Sequence, residues 1–118
     1  MKIVVSDEKM IAAIQQEFHE SFPFLKIDFF QQDFERLKSP AKNRISPNKT
    51  FGAFKNHHSG GITINPSMTV AELEKKFRTR YGLSVQIFRK SGKAWLETTL
   101  TDNWTLQEQN EQGKALSG

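Results

Sequence analysis

Cysteine is missing from this chain of 118 residues. Its absence excludes disulfides, thiolate nucleophiles and zinc sites built on sulfur. Long apolar runs are missing too. Nothing approaches the ~20 residues of a membrane-spanning helix. The opening Met-Lys is followed by only three apolar residues, too few for a signal peptide. The expectation is a soluble, cytoplasmic protein with no membrane partner. No G-x-S-x-G, Walker or dinucleotide-binding motif occurs. Acidic residues are absent from positions 38–58, where Lys38, Lys42, Arg44, Lys49 and Lys55 fall. The net charge is +4, yet the first 37 residues are net acidic. A basic loop of this kind meets nucleic acid, an acidic partner or only water.

What is present is one pattern written twice, over residues 2–30 and 61–89. Ile3 matches Ile62, Val5 matches Ile64, Ile11 matches Val70, Ile14 matches Leu73, Phe18 matches Phe77 and Phe22 matches Tyr81. One extra residue near Phe24 shifts the register, after which Leu25, Ile27 and Phe29 match Leu83, Val85 and Ile87. Each copy reads as an alternating strand, an amphipathic helix and a second alternating strand.

In the first copy Ser6 and Asp7 are the expected helix caps, and Pro23 ends the helix. In the second, Thr69-Val-Ala-Glu72 forms a capping box and Gly82 occupies the C-terminal cap. Arg89–Lys93 is a turn between strands, and Ala94–Leu100 completes a hairpin. Asp102 is the expected cap of a helical turn through Leu106. Residues 1–110 then form a single domain, and 111–118 a disordered tail. Between the copies, Gln31–Leu37 reads as a short helix and 38–58 as a mobile basic connection. Gly61 reads as part of a flexible entry to the strand at Ile62.

Two strand–helix–strand units in tandem make an α+β, ferredoxin-like two-layer sandwich, with one antiparallel sheet beneath both helices and an added C-terminal hairpin. Its helix-facing set is Ile3, Val5, Leu25, Ile27, Phe29, Ile62, Ile64, Val85 and Ile87. The alternative is a β-grasp arrangement: Thr69–Leu73 after a strand, with the later turn Asp102–Leu106, is similar to ubiquitin-like domains. The run Phe88-Arg-Lys-Ser-Gly92, with Trp95–Thr99 and Trp104–Leu106, resembles a small bacterial family of uncharacterised proteins. That resemblance is strongest over residues 68–110 and implies no activity, cofactor or catalytic residue.

Chemistry is sparse. His57-His58 supplies two of the three or four ligands that zinc needs, so no metal or cofactor is expected. Glu97, if buried, would be a candidate acid, but no catalytic residue is assigned. The aromatics lead further. Alternation sets Phe30, Phe88 and Trp95 opposite the helix-facing set, with Lys26, Arg89, Lys90 and Lys93 near them. The first reading is therefore a non-catalytic protein-interaction module or homodimer using an open sheet face, with Phe30, Phe88, Trp95, Lys90 and Lys93 as contacts. The alternative is a nucleic-acid-binding domain using Lys42, Arg44, Lys49 and Lys55 with the sheet aromatics. A small enzyme is the distant third.

Overall fold

Period-two alternation and helical stripes place the elements where the apolar residues require them. A computed structural model of the chain describes residues 2–31, 44–54 and 61–117. The elements run β1 (Ile3–Val5), α1 (Ile11–Ser21), β2 (Leu25–Gln31), a 3-10 turn (Phe51–Phe54), β3 (Ile62–Ile64), α2 (Val70–Tyr81), β4 (Leu83–Ser91), β5 (Ala94–Glu97), a second 3-10 turn (Thr99–Thr101) and α3 (Leu106–Ser117). No described helix is long and apolar enough to cross a membrane.

The protein is α+β, in two layers. Its described strands fall into two antiparallel sheets, β1–β3 and β2–β4–β5, rather than the single sheet of the ferredoxin-like expectation. The reason lies in how the repeats meet. The first strands pair with each other, and the second strands pair with each other. Ile3 faces Ile64 and Val5 faces Ile62. Ile27 faces Ile87 and Phe29 faces Val85. Exchanging the two copies returns both ladders unchanged, which is the property of a local two-fold axis.

All nine residues of the helix-facing set are buried. Phe18 and Phe77 are fully buried from their helices. At the centre, the Phe29 ring lies 5.1 Å from Phe77 and 5.3 Å from Phe51, and Phe51 lies 5.4 Å from Tyr81. Offset and edge contacts of this kind add to the area term that drives the core together.

The duplication extends beyond the two matched stretches. Helix N-termini leave amides without intrahelical partners. In α1, Ile11 N donates to Lys49 O and Ala12 N to Pro47 O. In α2, Val70 N donates to Trp104 O and Ala71 N to Asp102 O. The returning segments dock alike: Phe51 N reaches Lys9 O and Gly52 N reaches Asp7 O, while Leu106 N reaches Met68 O and Gln107 N reaches Pro66 O. Asn48-Lys-Thr50-Phe51 and Asn103-Trp-Thr105-Leu106 are therefore equivalent. Each copy is strand, helix, strand and a docking turn that covers its own helix N-terminus.

Several local expectations change for that reason. Neither Ser6 nor Asp7 caps α1; its N-cap is Met10, which has no side-chain cap, because backbone carbonyls of the docking turn do that work. Asp102 likewise gives its carbonyl to α2, and Thr105 begins α3 in a capping box with Glu108. The bond from Thr105 N holds the Glu108 carboxyl below its usual range. The Thr69–Glu72 box and the Gly82 cap, in the left-handed region at φ 65, stand as expected.

Residues 111–117 continue α3 instead of fraying. The helix lies so close to the sheet that a Cβ on Gly113 would sit 2.8 Å from Cβ of Phe24, just before β2, and 3.2 Å from Cγ of Arg89 on β4. Asn110 accepts from Phe24 N at 2.9 Å, and Gly92 N donates to Leu116 O. Gly61 is likewise a close approach rather than a flexible joint: a Cβ there would fall on the Val5 carbonyl oxygen. Gln31 ends β2 instead of starting a helix, and the rest of that expected helix lies outside the described residues. Of the basic stretch 38–58, residues 44–54 are packed through buried Ile45 and Phe51. Its remaining positions, including Lys38, Lys42, Lys55, His57 and His58, lie outside the described residues.

Candidate interaction surface

Alternation along β2 and β4 sends Leu25, Ile27, Phe29, Val85 and Ile87 toward the helices. It sends Lys26, Asp28, Gln86, Phe88 and Lys90 the other way. Register carries the second set onto β5. Phe88 faces Glu97 and Lys90 faces Trp95, while Lys26 faces Phe88 from β2. Phe88, Trp95, Lys26 and Lys90 are part-exposed, and Glu97 and Lys93 are exposed. The structure thus brings Phe88, Trp95, Lys90 and Lys93 together around the β4–β5 hairpin.

The cations are seated on the rings. Lys26 Nζ lies 5.1 Å from the centroid of Phe88 and 5.1 Å from that of Trp95. Lys90 Nζ lies 5.4 Å from Trp95 on the neighbouring strand. His19 completes the rim, its ring 6.3 Å from Trp95. Each lysine–ring contact is worth about 0.5–1 kcal/mol on a surface. The consequence for binding is that two ammonium groups are already positioned, so a carboxylate partner meets them at a reduced conformational cost.

Phe30 departs from the expectation. It is 2% exposed and so is not an accessible contact. The residue bridges to Arg44, whose guanidinium carbon lies 5.9 Å from the ring centroid. Arg44 also reaches Asp28 at 3.6 Å. Of the four cations named for nucleic acid, Arg44 is thus engaged with Asp28 and Phe30. Lys49 is exposed, near the α1 N-terminus. Lys42 and Lys55 lie outside the described residues.

The two outer edges of this sheet are unlike. Along β2, Leu25 O accepts from His19 Nδ1 at 2.9 Å, Ile27 O from Gln15 Nε2 at 3.0 Å and Phe29 O from Ile45 N at 2.9 Å. Helix α1 and the docking segment thus close that edge. Sequence reading missed Gln15 and His19 as edge-closing residues because a helix-to-strand bond leaves no periodic signal. Strand β5 is the last in the sheet order, and no described strand pairs with its outer side.

Among the described residues no three metal-ligating side chains come together. Glu97 is exposed, without the burial that its candidacy as an acid required. Comparison with protein-family models, curated proteins and solved structures found no match in any of the three.

Proposed function

We propose that this protein is a non-catalytic binding module whose contact surface is the outer face of β4 and β5, and that its partner is a protein. The observation that carries the reading is the grouping of Phe88 and Trp95 beneath Lys26 and Lys90, on the face turned away from the buried core. Aromatic anchors beside positioned charges are what protein interfaces concentrate at their centres. A partner that offers apolar side chains and carboxylates fits this surface.

Phe88→Asp tests it. A charge on an open face stays hydrated, so the variant keeps the wild-type circular dichroism and loses co-elution with its partner from cell extract. An unfolded variant overturns the reading, because burial of an unpaired carboxylate is what would unfold it.

A second reading, single-stranded nucleic acid, draws on the same rings and cations. It requires a base to displace Lys26 or Lys90 from its ring. Its mark is steep loss of affinity with added salt, through counterion release, where an apolar protein contact changes little.

A further inference from the structure

We propose that the outer edge of β5 pairs antiparallel with β5 of a second copy of this chain, with Trp95 opposite Trp95 across the two-fold axis and Lys93 opposite Glu97 on either side. This rests on the reading of the β4–β5 region as a binding surface and names its partner.

Backbone geometry determines which groups face outward. Thr98 N donates to Ile87 O at 3.2 Å, so the amides and carbonyls of Thr98, Leu96 and Ala94 turn toward β4. Those of Glu97 and Trp95 therefore turn away, with Lys93 in the turn just before the strand. The other edge of the sheet is closed at Leu25, Ile27 and Phe29; this edge is not closed by any described strand. Edges that avoid pairing are very short or carry prolines, bulges or charges. Strand β5 is short, at four residues, but Ala94-Trp-Leu-Glu97 has no proline, and the charges at its two ends, Lys93 and Glu97, are of opposite sign and so do not repel a copy placed antiparallel.

A two-fold axis between antiparallel strands pairs residues symmetrically, and the register decides which charges meet. Centred on Glu97, the pairing sets two like charges opposite each other, which opposes association. A centre at Leu96 leaves Lys93 across from an uncharged threonine. With Trp95 at the centre, Lys93 meets Glu97 twice, on the same face as the paired Trp95 rings. All three side chains are exposed or part-exposed in the single chain, so the pairing needs no rearrangement of the core. Opposite charges facing across antiparallel strands stabilise the pair, and only this register sets Lys93 opposite Glu97. The product is one sheet in the order β2-β4-β5-β5-β4-β2.

Sedimentation velocity on the wild-type chain and three variants tests this. The wild type is a dimer. Lys93→Glu alone and Glu97→Lys alone each turn two attractive cross-strand pairs into repulsive ones and weaken dimerisation about tenfold. The double variant Lys93→Glu/Glu97→Lys restores the wild-type dimer. Both residues are exposed, and unchanged circular dichroism confirms that the variants fold. A wild type that stays monomeric overturns the inference, as does a dimer that none of the substitutions weakens. A double variant as weak as the singles overturns the register. These results separate from the broader reading. Loss of the dimer inference with a folded Phe88→Asp leaves the face as a surface for a different protein. An unfolded Phe88→Asp with a restored charge-swap dimer removes the face and keeps the edge.

Discussion

Phe51 and Leu106 hold the same place in the two halves of the fold. Phe51 N donates to Lys9 O and Leu106 N to Met68 O, each side chain is fully buried, and each follows a threonine that bridges to the residue preceding its helix, Thr50 to Met10 and Thr105 to Thr69. The docking turns are thus part of the repeated unit and close the core from both sides.

Removal of either side chain therefore opens the core. Phe51→Ala should cost about 3–5 kcal/mol and Leu106→Ala about 2–5 kcal/mol. Chemical denaturation with circular dichroism measures both. If Phe51→Ala melts with the wild type, the docking turn does not belong to the core.

Phe18 and Phe77, the matched helix residues, should behave as a pair. Phe→Ala at each costs about 3–5 kcal/mol, because both rings sit fully buried between helix and sheet. A large loss at one position with none at the other would contradict the two-fold equivalence.

Gly61 and Gly113 have no room for a methyl group. A Cβ at Gly61 falls on the Val5 carbonyl, and one at Gly113 falls on Phe24 Cβ. Gly61→Ala should be the more damaging, since its neighbour is backbone in a paired strand and cannot move alone. The melting temperature should fall for both, and an unchanged value for Gly61→Ala would show that β1 and β3 separate easily.

Alkaline stability should depend on Tyr81. Burial, with the neighbouring Asp7 carboxylate that accepts the phenol at 3.1 Å, pushes the Tyr81 pKa up to about 12 from 10.0. The folded state therefore holds this proton more tightly than the unfolded chain. Its contribution is fully present below the unfolded value and is lost as pH rises toward the folded one. Tyr81→Phe should lower stability at neutral pH by about 0.5–1.5 kcal/mol, the net worth of one hydrogen bond, and should flatten the decline above pH 10.0. Unfolding curves for both proteins across that range measure it, and identical slopes would remove Tyr81 as a cause.

The sequence alone determined the α+β class, the two strand–helix–strand copies and the helix-facing residues of each copy, because period-two and helical spacing are local and every apolar stripe had to find cover. Thr69, Glu72 and Gly82 were legible as caps for the same reason: each acts on backbone within a few residues of itself. Tertiary structure decided which strands pair. The strand pattern of β1 and β2 suits one sheet or two, and only the meeting of equivalent strands across the local axis divides them. It also decided the role of the docking turns. Their resemblance is confined to Asn48, Thr50 and Phe51 against Asn103, Thr105 and Leu106, too short to register as a repeat until the bonds to Lys9 and Met68 are seen. Phe30 and Phe88 hold matched positions on the outward face of their strands, yet one is buried and the other part-exposed. Arg44 lies over the first and Glu97 stands beside the second, a difference set by residues 14 and nine positions away in the chain, so alternation gave no warning of it.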